Sequence, residues 1–438
     1  MKRQVLPWSG IPAEPQVAHD VHWQDQVRGL LTSVSGQSGL VLPFGMGRSY
    51  GDVCCADGNH VIAAAGLDRI MSFDKARGVI RAEAGLSLGA LLAIVLPLGW
   101  FLPVTPGTTF VTLGGAVAND VHGKNHHRRG TFGRHVTAFG LVRSDRDAIV
   151  CAADQNPELF AATIGGLGLT GFITWVEIQL MPVTSSRMEV VTQRFGSLSE
   201  FFSLSAELDA QHEYGVAWVD CLASGAALGR GVYGAAQHSP DGGCQTRPSL
   251  RLSVPFNTRL SMVNGLTSRV VTTAKWQLAP RLRRNSVERL ERFFYPLDGL
   301  HHWNRLYGRQ GFQQFQCVVP EVSAREGIAE LLSSIARSGL ASFLTVLKRC
   351  GDVASPGLLS FPMAGTSLAI DFPQSRDLGE RLLPRLDAIV REAKGRLYPA
   401  KDAHMRGEDF RHAYPAWTKV ESLRDPAIRS RFWTRVTT

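Results

Sequence analysis

The chain has 438 residues, 44% of them hydrophobic and 19% charged, with 44 glycines. That composition excludes a disordered chain and supplies enough apolar surface for two or three self-standing domains. The formal net charge of +9 favours anionic partners, whether phosphates, nucleic acid or an acidic membrane, without choosing among them. Seven cysteines, none in a Cys-x-x-Cys pair and two adjacent at Cys54 and Cys55, exclude a disulfide framework and a zinc ribbon.

In chain order, the basic start Met1-Lys2-Arg3-Gln4 is followed by no apolar run, so no secretory signal is expected. A strand over 41–45 runs into a glycine turn, and further strands are expected over 61–65 and 79–83. Ser87 is the expected N-cap of a helix over 88–96. The apolar stretch 88–104 is broken by Pro97, Gly99 and Pro103 and falls short of the ~20 residues a membrane span needs. A cytoplasmic protein is expected, with peripheral attachment to the inner membrane left open. Short helices are expected over 112–119 and 157–164, then a strand over 172–180. After Pro182 the elements lengthen: a helix over 200–211, strands over 214–222, 312–319, 344–348 and 368–372, and helices over 323–338 and 380–393. Ser323 with Glu326 fits a capping box, and Pro384 must sit in a first turn. The alternation predicts an α+β domain on one antiparallel sheet. The tail from Gly395 is too small to stand alone.

Four glycine-containing segments crowd the N-terminal region. They are Gly45-Met46-Gly47-Arg48-Ser49-Tyr50-Gly51-Asp52, Thr105-Pro106-Gly107-Thr108-Thr109, the run from Gly114 to His127, and Gly165-Gly166-Leu167-Gly168-Leu169-Thr170-Gly171. Glycine backbones admit an anion to their N–H groups, and such runs cradle pyrophosphate. One segment alone is a turn; four in one region point to a phosphorylated cofactor. Gly166, Gly168 and Gly171 match the spacing Gly-x-Gly-x-x-Gly, but a helix precedes them and a strand follows, the reverse of a nicotinamide site. His122, His126 and His127 suggest a metal, yet Gly123 interrupts the spacing and no third ligand is near. A polar active-site loop with Lys124 is the better reading, and no metal is expected.

These segments resemble the FAD-binding domain of the vanillyl-alcohol oxidase / p-cresol methylhydroxylase superfamily. Within it, the run His122-Gly123-Lys124-Asn125-His126-His127, followed by Gly130-Thr131-Phe132-Gly133, resembles the decaprenylphosphoryl-β-D-ribose 2'-oxidase family. Further matches are Gln314-Phe315-Gln316, Phe361-Pro362, Asp371-Phe372-Pro373 and Leu397-Tyr398-Pro399-Ala400-Lys401-Asp402. The resemblance implies an α+β fold with a two-subdomain FAD-binding domain over 1–183 and a substrate domain with an antiparallel sheet over 184–394. A segment over 395–438 would return to the FAD domain. It implies that Gly45, Met46, Gly47, Arg48, Ser49, Tyr50 and Gly51, with Pro106, Gly107, Thr108 and Thr109, hold the cofactor. Gly114, Gly115, Ala118, Asn119, His122, Gly123, Asn125, His126, Gly166, Gly168, Gly171, Ile173 and Lys401 would complete its site. Some superfamily members attach FAD through a His in the first glycine loop. Arg48, Ser49 and Tyr50 stand there, so non-covalent FAD is expected.

Oxidation of a carbinol needs a base for the hydroxyl proton and a cation near the charge that develops on the flavin. Lys401 matches the family's tail lysine and is the first choice for either role, with His122 and Tyr50 beside it. Lys124, Gln316, Lys348, Tyr398, Ser367 and Ala369 are expected to bind substrate. The expected substrate is a polyprenylphosphoryl ribose, oxidised at its 2-hydroxyl. A separate NAD(P)H-dependent short-chain reductase would complete an epimerisation to arabinose. An alditol or sugar-1,4-lactone oxidase is the competing reading; such enzymes often carry the covalent His. Where the mycobacterial-type enzymes have a cysteine two positions before the Asp of Asp-Phe-Pro, this chain has Ala369, which implies insensitivity to thiol-directed inhibitors. Between Lys275 and Arg309 lie six arginines interleaved with Trp276, Leu278, Leu282, Phe293 and Phe294. This stretch suits either an anionic membrane surface or an ordinary solvated helix face. No nucleic-acid motif accompanies the charge, and no nucleic-acid partner is expected.

Overall fold

The computed structural model describes residues 3–245, 252–259 and 261–438; the basic start at Met1 and Lys2 lies outside the described residues. Three main sheets organise the chain. The first has the order Arg3–Val5, Gln16–Asp20, His60–Ala63, Val41–Phe44, and its last three strands are parallel. The Gln26–Ser38 helix makes the crossover, burying Val27, Leu31 and Val34 at one-turn spacing. The second is a five-stranded antiparallel sheet ordered Ile70–Asp74, Val79–Glu83, Phe172–Gln179, Val136–Val142, Ile149–Ala152. Against it packs the Leu113–Ala118 helix. The expected cap at Ser87 is present, its side chain accepting from the Ala90 N–H at 3.1 Å.

The third sheet has eight antiparallel strands in the order Arg284–Arg289, Arg187–Phe195, Gly231–His238, Tyr214–Val219, Thr345–Cys350, Gly365–Pro373, Phe312–Pro320, Arg396–Leu397. Helices Leu198–Gln211, Ala324–Ser338 and Leu383–Glu392 cover one face of it, and Pro384 falls in the first turn of the last of these. The fold is thus α+β, a region of two sheets beside a single larger sheet. The tail starts on the eight-stranded sheet at Arg396–Leu397 and then returns to the first sheet. Ile428 bridges to Val41 and Ser430 to Ala56, and Phe432, Trp433 and Val436 are fully buried. Arg435 clamps it, reaching Asp52 at 2.8 Å and Asp402 at 2.9 Å.

Two expectations change. Ser323 forms no capping box: its hydroxyl donates to the Ala393 carbonyl at 2.7 Å, because a 3-10 turn over Glu321–Ser323 already leads into the helix. The basic stretch 275–309 is not one helix face. It runs from the end of the Gly265–Leu278 helix through the edge strand Arg284–Arg289 to the short helix Leu290–Phe294. Phe293 and Phe294 are buried, and Arg283 and Arg292 pair with Glu207 and Glu288.

Candidate active site

A cavity of about 530 Å³ lies between the uncovered face of the eight-stranded sheet and the glycine loops. Strand alternation decides which side chains reach it. Gln316 is registered with Ala369, Ala369 with Val346, and Val346 with Trp218, so these four form one row across the sheet. Lys348 and Ser367 are paired one step along. All six line the cavity. Their neighbours Phe315, Leu347 and Leu368 point the other way, into the helix-covered core.

From the opposite wall come Gly45, Met46, Gly47, Arg48, Ser49 and Tyr50, then Pro106, Gly107 and Thr108, then Gly114, Gly115, Ala118 and Asn119. His122, Gly123, Lys124, Gly168, Gly171 and Ile173 continue it, and the tail adds Tyr398 and Lys401. Gly47 has φ +61°, and a Cβ there would sit 2.6 Å from the Phe44 ring, so only glycine suits that turn. Gly107 and Gly168 differ: a Cβ built on either meets no atom within 4 Å. Each leaves cavity space open where a side chain would intrude, which fits a cofactor lying against bare backbone. The Arg48 guanidinium stacks 4.3 Å over Trp8 and 5.5 Å from Phe110.

His122 sits at the centre of a polar network. Lys348 Nζ donates to its Nδ1 and, at 2.8 Å, to the Gly123 carbonyl. A neutral imidazole has one N–H, so Nε2 carries the proton; Gln316 Nε2 lies 3.1 Å from it, and turning that amide over, which leaves its shape unchanged, brings its oxygen there to accept. Burial and the adjacent Lys348 hold the His122 pKa well below its ordinary value. Phe361 and Tyr398 flank the ring, each at 5.5 Å, and stack on each other at 4.5 Å. Tyr398 donates to the Asn119 carbonyl at 3.0 Å. Lys124 donates to the Phe293 carbonyl, and burial lowers its pKa to about 7.

Lys401 rests on Tyr50, its Nζ 3.7 Å from the ring centroid. Burial lowers the pKa of Lys401, and the carboxylate of Asp371 opposes that shift. Burial raises Asp371, which accepts from Gln314 Nε2 at 2.5 Å and leaves its second oxygen unpartnered. Tyr50 is held well above its ordinary pKa by burial and then by Asp371, so it stays a neutral phenol. Among the described lining residues the one carboxylate is Asp298, and it is occupied by the Thr109 N–H and hydroxyl, both at 2.7 Å. The cavity is therefore cationic and fits an anionic ligand.

Five expected cofactor residues do not line the cavity. Gly51 packs on the tail, where a Cβ would lie 1.7 Å from the Asp402 carbonyl. Thr109 is engaged by Asp298. Asn125 binds the Pro103 carbonyl at 2.8 Å and Glu213 at 3.2 Å. His126 is buried with neither ring nitrogen partnered, and burial lowers its pKa to about 3. Gly166 is a packing glycine, 1.9 Å from the Ala162 carbonyl if given a Cβ. His127 turns toward the His212 carbonyl, 3.4 Å away, so the three histidines do not converge. Trp8, Phe110 and Trp218 also line the cavity, and Asp371 acts on Lys401; none of the four is expected from the sequence. Asp371 alone had a signal, since it shares strand parity with Ala369.

The sequence matches the FAD binding domain model over residues 15–152. It is 36% identical over 401 residues to decaprenylphosphoryl-β-D-ribose oxidase of Mycolicibacterium smegmatis, covering 88% of this chain and 86% of that one. An uncharacterized protein of Streptomyces coelicolor is 36% identical over 77% of this chain and 95% of its own length. L-gulonolactone oxidase of Scyliorhinus torazame is 30% identical, over only 39% of this chain and 38% of its own. With the glycine-walled, cationic cavity in place, these likenesses settle the family: the chain belongs to the FAD-dependent oxidoreductases that include decaprenylphosphoryl-β-D-ribose oxidase.

Proposed function

We propose that the chain oxidises the 2-hydroxyl of a polyprenylphosphoryl-β-D-ribose to the 2-keto sugar, the first half of an epimerisation to arabinose. The observation that carries this reading is the row of sheet side chains facing the glycine loops in a cavity where the one carboxylate among the described lining residues is already occupied. Such a site accepts two anions, a pyrophosphate and a sugar phosphate. FAD bound there supplies a two-electron acceptor for the hydride from the carbinol carbon. Arg48 and the loops at Gly45 and Gly107 hold the cofactor, and Lys124 and Lys348 serve the sugar and its phosphate. Lys401, its pKa lowered by burial, takes the hydroxyl proton, with Asp371 behind it sharing the charge. Tyr50, kept neutral, positions that amine through its ring face. His122 is fixed as one tautomer by Lys348 and Gln316 and donates only through Nε2.

The cofactor is held without a covalent bond. His122 is the one histidine among the described lining residues, and both its nitrogens are already engaged. A separate NAD(P)H-dependent short-chain reductase consumes the keto product. Among the described residues no helix is long and apolar enough to cross a membrane; a cytoplasmic enzyme peripheral to the inner membrane would meet a lipid-linked substrate. The test is the visible spectrum of the purified protein, taken anaerobically before and after adding a short-chain prenylphosphoryl ribose. Bleaching of the oxidised flavin band is expected. An unbleached band, with bleaching by an alditol or aldonolactone instead, would overturn the substrate.

A further inference from the structure

The Gly265–Leu278 helix is inside out. Its buried residues are Ser268 and Thr272, while Leu266, Val270 and Leu278 are 75%, 62% and 87% exposed. Helical spacing puts these three, with Val271, on the side away from the protein. Water does not favour that arrangement, and a contiguous apolar face of this kind marks a surface that something apolar covers. Exposed apolar side chains flank the helix in sequence on either side: Phe256 and Met262 precede it, and Leu282 follows. Nine of the sixteen large exposed apolar side chains among the described residues lie between Leu252 and Val287.

The charge of the same stretch says what covers it. Between Asp241 and Glu288 the sequence contains no acidic residue and eight basic ones, nearly the whole of the chain's net +9. Arg283 reaches Glu207 at 2.7 Å; Arg259, Arg269, Arg281 and Arg284 are exposed and have no carboxylate partner among the described residues. Aliphatic side chains framed by unpaired arginines match the two layers of an anionic bilayer, acyl chains below and phosphate headgroups above. The segment also borders the cavity. Lys275 leaves the helix to line it, and Leu252 is paired with Leu300, another lining residue.

We infer that the outer face of the Gly265–Leu278 helix, with its flanking segments, docks on an anionic lipid bilayer and sets the cavity mouth against it. Entry of a polyprenyl-linked sugar from the lipid rests on the substrate reading above; the docking itself does not. The basic stretch noted at 275–309 therefore contributes only its first part, since beyond Glu288 the aromatic residues turn inward.

The experiment is vesicle flotation of the FAD-bound enzyme, without substrate. Vesicles of phosphatidylglycerol with phosphatidylcholine are compared with phosphatidylcholine alone. Wild type should float with the anionic vesicles at least about tenfold more strongly than with neutral ones, and less so as salt is raised. The triple variant Leu266→Glu, Val270→Glu, Leu278→Glu should lose at least about tenfold in that binding. Its flavin spectrum and its turnover of a water-soluble short-chain substrate should stay as wild type. Failure of wild type to float, or flotation of the triple variant as wild type, overturns the docking. So does a solution dimer that the triple variant dissolves, which would assign the face to a second copy. A wrong substrate shows separately, as flavin that does not bleach while flotation persists.

Discussion

Replacing Asp120 by alanine should cost far more stability than its position beside the active-site loop suggests. Its carboxylate is fully buried and accepts three hydrogen bonds: from the Gly133 N–H at 2.8 Å and from the Ser355 and Ser360 hydroxyls at 2.6 Å each. These tie the turn before His122 to the 355–360 loop. In Asp120→Ala, the Gly133 N–H and the buried Ser360 hydroxyl lose their acceptor, while half-buried Ser355 can turn to water. At about 1–3 kcal/mol for each buried donor left unmade, the expected loss is about 3–4 kcal/mol. Asp120→Asn keeps an acceptor for Gly133, and hydroxyls can reverse to accept from the amide, so it should cost about 1 kcal/mol. Burial raises the Asp120 pKa; the native state then holds the proton that the unfolded state releases, and wild type loses stability as pH rises through that interval. Asp120→Asn lacks this term and should gain on wild type over the same rise. Urea unfolding of the FAD-bound protein, followed by tryptophan fluorescence at several pH values, measures all three. Equal losses for the alanine and asparagine variants would refute the hydrogen-bond reasoning.

Lys401→Met should lower kcat by about 10²–10⁴-fold while the flavin spectrum is retained. Wild-type kcat/KM should rise with pH, because the base works deprotonated, with an apparent pKa below the ordinary lysine value; a flat profile would remove Lys401 from that role. Gly107→Leu projects into open cavity and touches no protein atom within 4 Å at Cβ, so unfolding should be unchanged while FAD affinity falls at least about tenfold. An unchanged FAD titration would place the cofactor elsewhere. Ala369→Cys should add one covalent adduct with a thiol-directed electrophile that enters the cavity and should block turnover; peptide mapping of wild type should show residue 369 unmodified and Cys54, whose thiol pKa is raised, slow to react.

The glycine loops were legible because each demand is local. A φ of +61° at Gly47 or the cap at Ser87 follows from a few neighbouring residues, and the strand and helix bounds near them agree within a residue or two. The residues that fail to line the cavity have the opposite cause. Gly51 looks like a cradle glycine in sequence, but the backbone that crowds it comes from Asp402, far along the chain; Gly166 is the exception, crowded by Ala162 only four residues before it. Asn125 and His126 directly follow His122, Gly123 and Lys124 in one run, and only the fold decides that the first three face the cavity and the next two do not. Trp218 was invisible for a related reason: its place in the row depends on the pairing of Tyr214–Val219 with Thr345–Cys350, strands more than a hundred residues apart.

The positive charge has two populations, and only the structure separates them. Lys124, Lys348 and Lys401 are buried around the cavity, where burial lowers each pKa; their charge is adjustable, and a proton can be held or released there. A guanidinium is a fixed charge, and water and salt screen the exposed arginines of the acid-free stretch. The first group suits chemistry on a bound anion, where charge must change during the reaction. The second suits attachment to a surface of phosphates, where it must not. In the sequence both groups add to one net charge, and that sum distinguishes neither a nucleic acid from a membrane nor a binding cation from a base. Burial divides them, and so the same excess of positive charge can serve turnover at the cavity and attachment at its rim.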